Sequence, residues 1–216
     1  MKTIFWAVDC QKDFMEKDGN LYIKGAEEIV PNLEKLTLVA KELNIQVINT
    51  MDSHSEGDEE LSDTPDFINT FPEHCMIGTD GISFIDATYP HKFGRENYYI
   101  LPNVNDGNKF FDTEKINKSR NIIIPKDKFD VFIGNPNTED FIKHINPDEI
   151  FIYGVATNVC VNCAVLGLLQ RGFNVTIVED AIKELPSLPI KEIIDNWIKK
   201  GANFITTNEL ISNLTK

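Results

Sequence analysis

The chain has 216 residues and a net charge of −13 at neutral pH, with 42% hydrophobic and 25% charged residues. These values favour one α/β domain with a single sizeable core. The acidic excess argues against nucleic acid and anionic membranes as partners, because both carry negative charge. No apolar run approaches the roughly 20 residues of a membrane span, and Asp9 comes too early for a signal peptide. We therefore expect a cytoplasmic protein whose four cysteines form no disulfide scaffold.

Apolar runs rich in β-branched residues alternate with helix-like stretches along the chain. Strands are predicted at residues 3–8, 45–50, 121–125, 149–155, 174–180 and 203–207. Helices are predicted at about 26–43, 138–144, 159–171 and 189–199, with Gly172 and Gly201 as C-terminal stops. Strands that are apolar throughout imply a parallel sheet covered by helices on both faces. Such sheets bind ligands beyond the carboxyl ends of their strands.

A long segment, about residues 51–120, separates the second and third predicted strands. It is rich in Asp, Glu, Asn, Gly, Pro and aromatic residues. Loops of this length are uncommon in compact domains unless they serve function. We predict a single domain, residues 1–216, in which this insert forms part of the wall of a site.

Cys160 and Cys163 form a C-x-x-C pair after the fourth predicted strand. Such a pair can be a redox couple, half of a zinc site, or one nucleophile beside a packing residue. Cys160 opens a helix that Asn158 could cap, so the helix dipole is expected to lower the pKa of its thiol. Cys163 lies one turn later among apolar residues. No second C-x-x-C completes a zinc site, which leaves a single nucleophile as the favoured reading.

Other polar residues also follow the predicted strands. Asp9 ends the first strand, where burial is expected to raise its pKa and make it a base. Lys126 and Lys128 follow the third strand, and a lysine there can stabilise a thiolate or an oxyanion. A carboxylate and two imidazoles suit a divalent metal, which points to the residues Asp52, His54 and His74, with Glu60 or Asp63 as a further oxygen ligand.

Four motifs together resemble the isochorismatase-like cysteine hydrolase superfamily, in its nicotinamidase branch. They are "VDCQKDF", "DSH", "FPEHCMIGT" and "GVATNVCVNCA", with "PKDKFDVF" between the last two. The resemblance implies a six-stranded parallel sheet in a three-layer α/β/α sandwich. It also implies a catalytic triad of Asp9, Lys126 and Cys160; Lys126 is preferred to Lys128 because the family lysine lies six residues before the match to Phe132. A cis peptide before Ala156 would aim the N–H groups of Ala156 and Cys160 into an oxyanion hole.

The same resemblance implies one divalent metal ion, most often zinc, with iron or manganese as alternatives. Its ligands would be Asp52, His54 and His74, and Glu60 occupies a position where some members have a fourth ligand. Phe14, Phe71 and Gln11 are the expected substrate-binding residues, although nicotinamidases commonly carry a tryptophan where this chain has Phe71. The implied protein is a homo-oligomer of the NAD salvage pathway. Residues 89–120 match no family segment and could shape the pocket or an oligomer interface.

The expected reaction is the hydrolysis of nicotinamide to nicotinate and ammonia through a thioester on Cys160. A first alternative keeps the cysteine hydrolase chemistry with another small amide or a carbamoyl compound as substrate. Isochorismate is disfavoured, because that branch of the superfamily lacks the nucleophilic cysteine. A second alternative is a thiol redox or metal-binding protein that uses Cys160 and Cys163, but it leaves the other site residues without a purpose.

Overall fold

The computed structural model describes residues 1–90, 97–102, 111–186 and 189–216. Its central feature is a parallel sheet of seven strands in the order β3-β4-β2-β1-β5-β6-β7. The strands are β1 (Thr3–Val8), β2 (Gln46–Asp52), β3 (Tyr98–Tyr99), β4 (Asn121–Lys126), β5 (Glu149–Val155), β6 (Val175–Lys183) and β7 (Asn203–Ile205). The α/β prediction is confirmed, but the predicted number of six strands is wrong. The additional strand, β3, has two residues in the insert and is too short to give a periodic apolar signal.

Helices cover both faces of the sheet, as the apolar strands require. They are α1 (Lys12–Met15), α2 (Val30–Glu42), α3 (Thr113–Lys118), α4 (Val131–Gly134), α5 (Thr138–Ile145), α6 (Asn162–Gln170), α7 (Lys191–Lys199) and α8 (Thr207–Leu214). Trp6 of β1 packs in one core with residues of α5, α6 and α7, whereas Phe5 packs in a second core with residues of α2 and α8. Successive strand residues point to opposite faces, so one strand serves both layers.

The predicted helices begin and end close to their observed limits. The predicted 26–43 helix is divided into a 3₁₀ turn (Ala26–Glu28) and α2, since Pro31 occupies the first turn of α2. Gly172 and Gly201 both have positive φ angles of 82° and 93°, as expected of glycines that end helices. No helix within the described ranges has the length and apolar character needed to cross a membrane.

The insert between β2 and β4 contributes β3 to the sheet, and isolated bridges hold its middle part. His54 pairs with Met76, and Gln11 pairs with Phe84. These bridges bring the middle of the insert beside the carboxyl ends of β1 and β2. Part of the unmatched 89–120 segment, residues 91–96 and 103–110, lies outside the described residues, so its expected role stays a prediction.

The order of the strands determines which strand ends meet. β4, β2, β1 and β5 are consecutive neighbours, and Asp52 of β2 is the register partner of Lys126 of β4. Val8 is likewise the partner of Gly154. The residues that follow these four strands therefore converge at one edge of the sheet, where ligand sites of parallel sheets lie.

Candidate active site

Asp9 follows β1 in a left-handed conformation with φ of 46°, and its side chain is fully buried. One carboxylate oxygen, Oδ1, accepts a hydrogen bond of 2.6 Å from the Thr50 hydroxyl. The other, Oδ2, lies 2.9 Å from the Lys126 ammonium. Thr50 was not predicted as a site residue, although it lies two residues before Asp52 and so on the same face of β2. It holds one end of the carboxylate while the other end faces the lysine.

Lys126 is the centre of the buried charges. Its Nζ lies 2.6 Å from Asp52 Oδ1 and 2.9 Å from Asp9 Oδ2, and it contacts Cys160 Sγ at 3.7 Å. Lys128, the alternative from the sequence, instead pairs with Glu59 on the surface and keeps a partly exposed side chain. The structure thus brings Asp9, Lys126 and Cys160 together and leaves Lys128 outside this group.

Burial and charge together determine the ionisation of these groups. Burial alone would lower the pKa of Lys126, but the carboxylates of Asp52 and Asp9 raise it well above its usual range. Burial would raise the pKa of Asp52, yet Lys126 and the two nearby histidines hold it well below its usual value. For Asp9 burial prevails over Lys126, so its pKa is raised. The site therefore holds a charged lysine between a strongly acidic carboxyl and a more basic one.

Cys160 lies in a π-helical turn (Thr157–Val161) that leads into α6. Burial raises the pKa of its thiol well above the usual range, and the opposing effect of Lys126 is smaller. The expectation of a lowered pKa at this helix start is therefore wrong, because desolvation outweighs the nearby positive charge of Lys126. Asn158 does not cap the turn with its side chain; it bonds both the N–H and the C=O of Leu185, at 2.9 and 2.8 Å.

The peptide bond between Val155 and Ala156 is cis, as the family resemblance implies. Ala156 and Cys160 both border the same cavity. Their place at the cavity is compatible with the expected oxyanion hole, which stays a prediction.

Cys163 lies one turn beyond Cys160 and is partly exposed; all four cysteines are free thiols. Burial raises the pKa of Cys163 to about 11, and its side chain does not line the cavity.

Asp52, His54 and His74 bring three metal-binding atoms to within 4.8 Å of one another. The Nε2 atoms of His54 and His74 lie 3.7 and 3.4 Å from Asp52 Oδ2. The His54 Nδ1–H donates to Asp58 at 3.2 Å, and the His74 Nδ1–H donates to the Pro72 carbonyl at 2.7 Å. Such outer bonds orient the rings and leave both Nε2 lone pairs available to a metal.

The residues fit a divalent ion on structural grounds. All three side chains are buried, and His54 Nε2 has no hydrogen-bond partner. One carboxylate and two imidazoles are the donor set that zinc, iron or manganese takes. Asp58, which the sequence analysis missed, follows His54 by four residues, a spacing that gives little signal in a loop.

Glu60 is the expected candidate for a fourth ligand, but it lies apart from the three-residue group. Its Oε1 accepts a 3.1 Å hydrogen bond from the Phe129 N–H, and its buried Oε2 has no hydrogen-bond partner. Burial raises its pKa to about 7, with opposing effects from that hydrogen bond and from Lys126. Asp63, the other candidate, is exposed on the surface and away from the site.

A small cavity opens beside Cys160. Its lining is mostly apolar and comprises Phe14, Leu21, Ile23, Asp52, Phe71, His74, Phe129, Ala156, Val159, Cys160 and Leu185. Of the three expected substrate-binding residues, Phe14 and Phe71 line it. Leu21, Ile23, Phe129, Val159 and Leu185 were missed, because single apolar residues in loops carry no periodic signal.

Gln11, the third expected substrate-binding residue, does not line the cavity and is fully buried. Its amide bonds the backbone N–H and C=O of Asp52, at 2.7 and 2.8 Å, and the Ile82 carbonyl at 2.9 Å. Both ends of the amide are thus occupied by the protein's own backbone. The structure gives Gln11 a contact to the end of β2 in place of a contact to the cavity.

Comparison with known proteins places this architecture among hydrolases. The chain is 24% identical over 195 residues to a probable inactive nicotinamidase of Arabidopsis thaliana, covering 89% of this chain and 87% of that protein. The fold is similar to that of a zinc-bound pyrazinamidase of Pyrococcus horikoshii, with a TM-score of 0.72, 21% identity and coverage of 95% and 99% of the two chains. An N-carbamoylsarcosine amidase of Thermoplasma acidophilum is similar at a TM-score of 0.71, 21% identity and coverage of 97% and 98%. The isochorismatase domain model matches residues 3–209, and the chain therefore belongs to the isochorismatase family of hydrolases.

Proposed function

We propose that this protein is a nicotinamidase, which hydrolyses nicotinamide to nicotinate and ammonia. The observation that carries the proposal is the shared cavity: Cys160 borders it together with Asp52 and His74, and apolar side chains form the rest of its lining. A flat ring with a carboxamide on one side and a basic nitrogen on the other suits such a lining. The amide would face the thiol while the ring nitrogen faces the metal-binding residues.

Asp9 acts as the base in the first half of the reaction. Its carboxylate takes the proton from the Cys160 thiol, and the sulfur attacks the amide carbon. Lys126, whose Nζ lies 3.7 Å from Sγ, stabilises the thiolate as it forms. The C–N bond then breaks, and Asp9 returns the proton to the departing nitrogen, which leaves as ammonia. A thioester to Cys160 remains.

Water completes the reaction with the same groups. Asp9 takes a proton from water, the resulting hydroxide attacks the thioester carbon, and the C–S bond breaks. The sulfur leaves and recovers its proton from Asp9. The N–H groups of Ala156 and Cys160 are the proposed donors to the oxyanion in both halves.

Asp52, His54 and His74 are the proposed metal ligands, with Glu60 as a candidate fourth group. When bound, a divalent ion supplies a Lewis acid that orients the ring nitrogen of the substrate. Zinc is the preferred ion, with iron and manganese as alternatives. Phe14 and Phe71 line the cavity and are proposed to flank the ring.

The charge of the cavity favours a neutral substrate over an anionic carbamoyl compound. Among the described residues, no arginine or lysine lines the cavity, and Asp52 adds negative charge. A substrate that carries a carboxylate, such as N-carbamoylsarcosine, would find no cationic side chain in this lining, and could pair only with the proposed metal ion. The second candidate function is the hydrolysis of another neutral aromatic amide.

A redox role for Cys160 and Cys163 is disfavoured, because Cys163 does not line the cavity.

Ammonia release from a panel of amides tests the proposal. The purified enzyme, loaded with zinc, iron or manganese in turn, is assayed with nicotinamide, benzamide and N-carbamoylsarcosine. We expect the highest kcat/KM for nicotinamide and none above the Cys160→Ala background for N-carbamoylsarcosine. A higher kcat/KM for N-carbamoylsarcosine than for nicotinamide would overturn the nicotinamidase proposal. Equal values for benzamide and nicotinamide would favour the second candidate function, the hydrolysis of neutral aromatic amides in general.

The resemblance also leads us to propose a cytoplasmic homo-oligomer that serves NAD salvage. Residues 1–216 would form one hydrolase domain, with the insert at 51–120 as part of the site wall; Phe71 and His74, which lie in the insert and line the cavity, support this organisation. Light scattering of the purified protein measures the assembly, and a monomer at micromolar concentration would contradict it.

A further inference from the structure

The turn that follows β1 sends three polar side chains in different directions. Asp9 reaches the Lys126 ammonium, as described above. Gln11 and Asp13 point elsewhere, and neither lines the cavity. Both are buried, with 0% and 5% of their surface exposed. Buried polar side chains are retained only when their hydrogen bonds are made, so the partners of Gln11 and Asp13 show what they hold.

Gln11 holds the last residue of β2. It accepts a hydrogen bond from the Asp52 N–H and donates one to the Asp52 carbonyl, so the backbone on both sides of this residue is held. Its second donated bond, to the Ile82 carbonyl, joins the same point to the insert. Asp52 has to divide its carboxylate between Lys126 on one side and the two histidines on the other. A backbone held at both peptide groups restricts the directions in which that carboxylate can point.

Asp13 holds the histidine side of the group. Its Oδ2 accepts a 2.6 Å hydrogen bond from the N–H of Cys75, the residue after His74. Cys75 has a positive φ of 47°, and its carbonyl accepts a 3.1 Å bond from the His54 N–H. One chain of hydrogen bonds thus runs from Asp13 through Cys75 to His54.

The surroundings of Asp13 leave room for this contact. A Cβ atom at position 81 would lie 2.2 Å from the Asp13 carboxylate, so glycine is required there for the carboxylate to keep its place. Asp13 Oδ1 accepts a second bond, of 3.0 Å, from the Asn20 N–H. Both oxygens are therefore occupied by backbone donors, and the side chain is not free to act on substrate.

We propose that Gln11 and Asp13 are positioning residues for the metal site: Gln11 holds the backbone of Asp52, and Asp13 holds Cys75, which follows His74 and accepts a bond from the His54 N–H. His74 lies in the insert, and fixing a loop residue in one position costs conformational entropy. When hydrogen bonds already hold the ligands in place, this entropy is not lost again when the ion binds. The inference rests on the metal site of the proposed function and extends it to residues outside the ligand set.

Zinc affinity of the full-length protein tests the proposal directly. Metal-free wild type, Gln11→Met and Asp13→Asn are titrated with zinc in competition with a chromophoric chelator. Supporting partners of metal ligands typically contribute 10- to 100-fold in affinity, so we expect a loss of about that size in each variant. Asp80→Asn is the matched control: it breaks the exposed Lys12–Asp80 pair of the same turn and should leave zinc affinity unchanged.

A second readout separates positioning from general loss of structure. Cys160 alkylation in metal-free Asp13→Asn should stay within about threefold of wild type, because Asp13 neither contacts Asp52 nor takes part in the contacts of Asp9 to Thr50 and Lys126. If wild type binds no zinc, iron or manganese, the metal site itself is wrong. If wild type binds and the folded variants bind equally tightly, the positioning role is wrong. Should Gln11→Met fail to fold, Asp13→Asn, which replaces one oxygen by an amide nitrogen, decides the question.

Discussion

The proposed triad and the proposed metal-binding group lie side by side at one edge of the sheet but are built in different ways. Asp9 and Lys126 occupy strand ends or follow them directly, and neighbouring strands hold each other in register through backbone bonds. His54 and His74 lie in a part of the insert that is held by isolated bridges and single side-chain bonds and not by strand pairing. A regular sheet thus positions the groups proposed to react, while a loop with specific supports positions those proposed to orient the substrate.

Asp52 joins the two groups. Its Oδ1 lies 2.6 Å from the Lys126 ammonium, and its Oδ2 faces both histidines. A charge change on one side therefore reaches the other through a single carboxylate. We therefore expect that changes to the proposed triad abolish hydrolysis. Changes to the metal group should slow hydrolysis only of those substrates that the metal ion has to orient.

Replacement of the nucleophile should have the largest effect. Cys160→Ala removes the sulfur that forms the thioester, and we expect a loss of at least about 10⁴-fold in kcat. The fold should be retained, since a small buried side chain is replaced by a smaller one. Ammonia release and circular dichroism measure the two outcomes.

Cys163→Ala is the matched control for this change. Its thiol is partly exposed and does not line the cavity, so kcat should stay within about threefold of wild type. A loss comparable to that of Cys160→Ala would revive the reading of the pair as a redox couple or as joint ligands.

Lys126→Met should follow in size, with an effect on stability as well as on rate. It leaves Asp9 and Asp52 buried without their cation, and breaking a buried pair costs about 3–5 kcal/mol. Since Lys126 opposes the burial that raises the pKa of Cys160, its loss should raise that pKa further. The thiolate fraction at a given pH then falls, and alkylation of Cys160 by iodoacetamide slows.

Lys128→Met provides the comparison for this prediction. Lys128 pairs with the exposed Glu59 side chain, and surface pairs contribute only about 0–1 kcal/mol. Urea unfolding and the pH profile of alkylation should both match the wild type. An equal effect of the two variants would show that general positive charge, and not the buried contact to Sγ, controls the thiol.

Removal of the metal should have a smaller and substrate-dependent effect. After chelation, we expect kcat/KM for nicotinamide to fall by about 10²-fold, because the ring nitrogen loses its anchor. Benzamide has no ring nitrogen, and its slower hydrolysis should change by less than about threefold. Equal losses with both amides would mean that the ion supports the fold of the insert and not the orientation of the ring.

The sequence predicts that Asp9, Lys126 and Cys160 lie together, and it does so better than it predicts their surroundings, for a physical reason. Asp9, Lys126 and Cys160 lie at or soon after the ends of apolar strands, and the parallel arrangement brings such residues to one edge of the sheet. The motif match then distinguishes Lys126 from Lys128. The α/β fold follows from the same runs, and only β3, with its two residues, escapes them.

Contacts made within loops could not be predicted in the same way. Gln11 is a polar residue near the proposed catalytic base Asp9, so a substrate contact is a natural expectation, yet its amide binds the backbone of β2. The contact of Asp58 with His54 depends on the local shape of a loop, and the place of Leu185 at the cavity depends on how segments distant in sequence meet. The low pKa expected for Cys160 failed likewise, because the degree of burial depends on the packed structure and not on the position at a helix start.

Replacement of Glu60 should have the smallest of the predicted effects. It tests whether this carboxyl belongs to the metal-binding group. Its pKa is raised to about 7 by burial, against a usual value of 4.5. A group whose folded pKa lies above its unfolded pKa stabilises the fold below the lower value and loses that contribution as the pH rises through the higher one. The free energy of unfolding of the metal-free wild type should therefore fall relative to Glu60→Gln between about pH 4.5 and 7.

The expected difference is roughly 1 kcal/mol, because the carboxyl is only half-buried and water screens part of the effect. Glu60→Gln keeps the acceptor for the Phe129 N–H, so the comparison isolates the charge. Urea unfolding at several pH values measures it, first without metal and then with zinc. If Glu60 becomes a ligand, zinc has to displace its proton, and zinc affinity will rise more steeply with pH in wild type than in the variant. Parallel pH profiles would instead leave Asp52, His54 and His74 as the complete set of protein ligands.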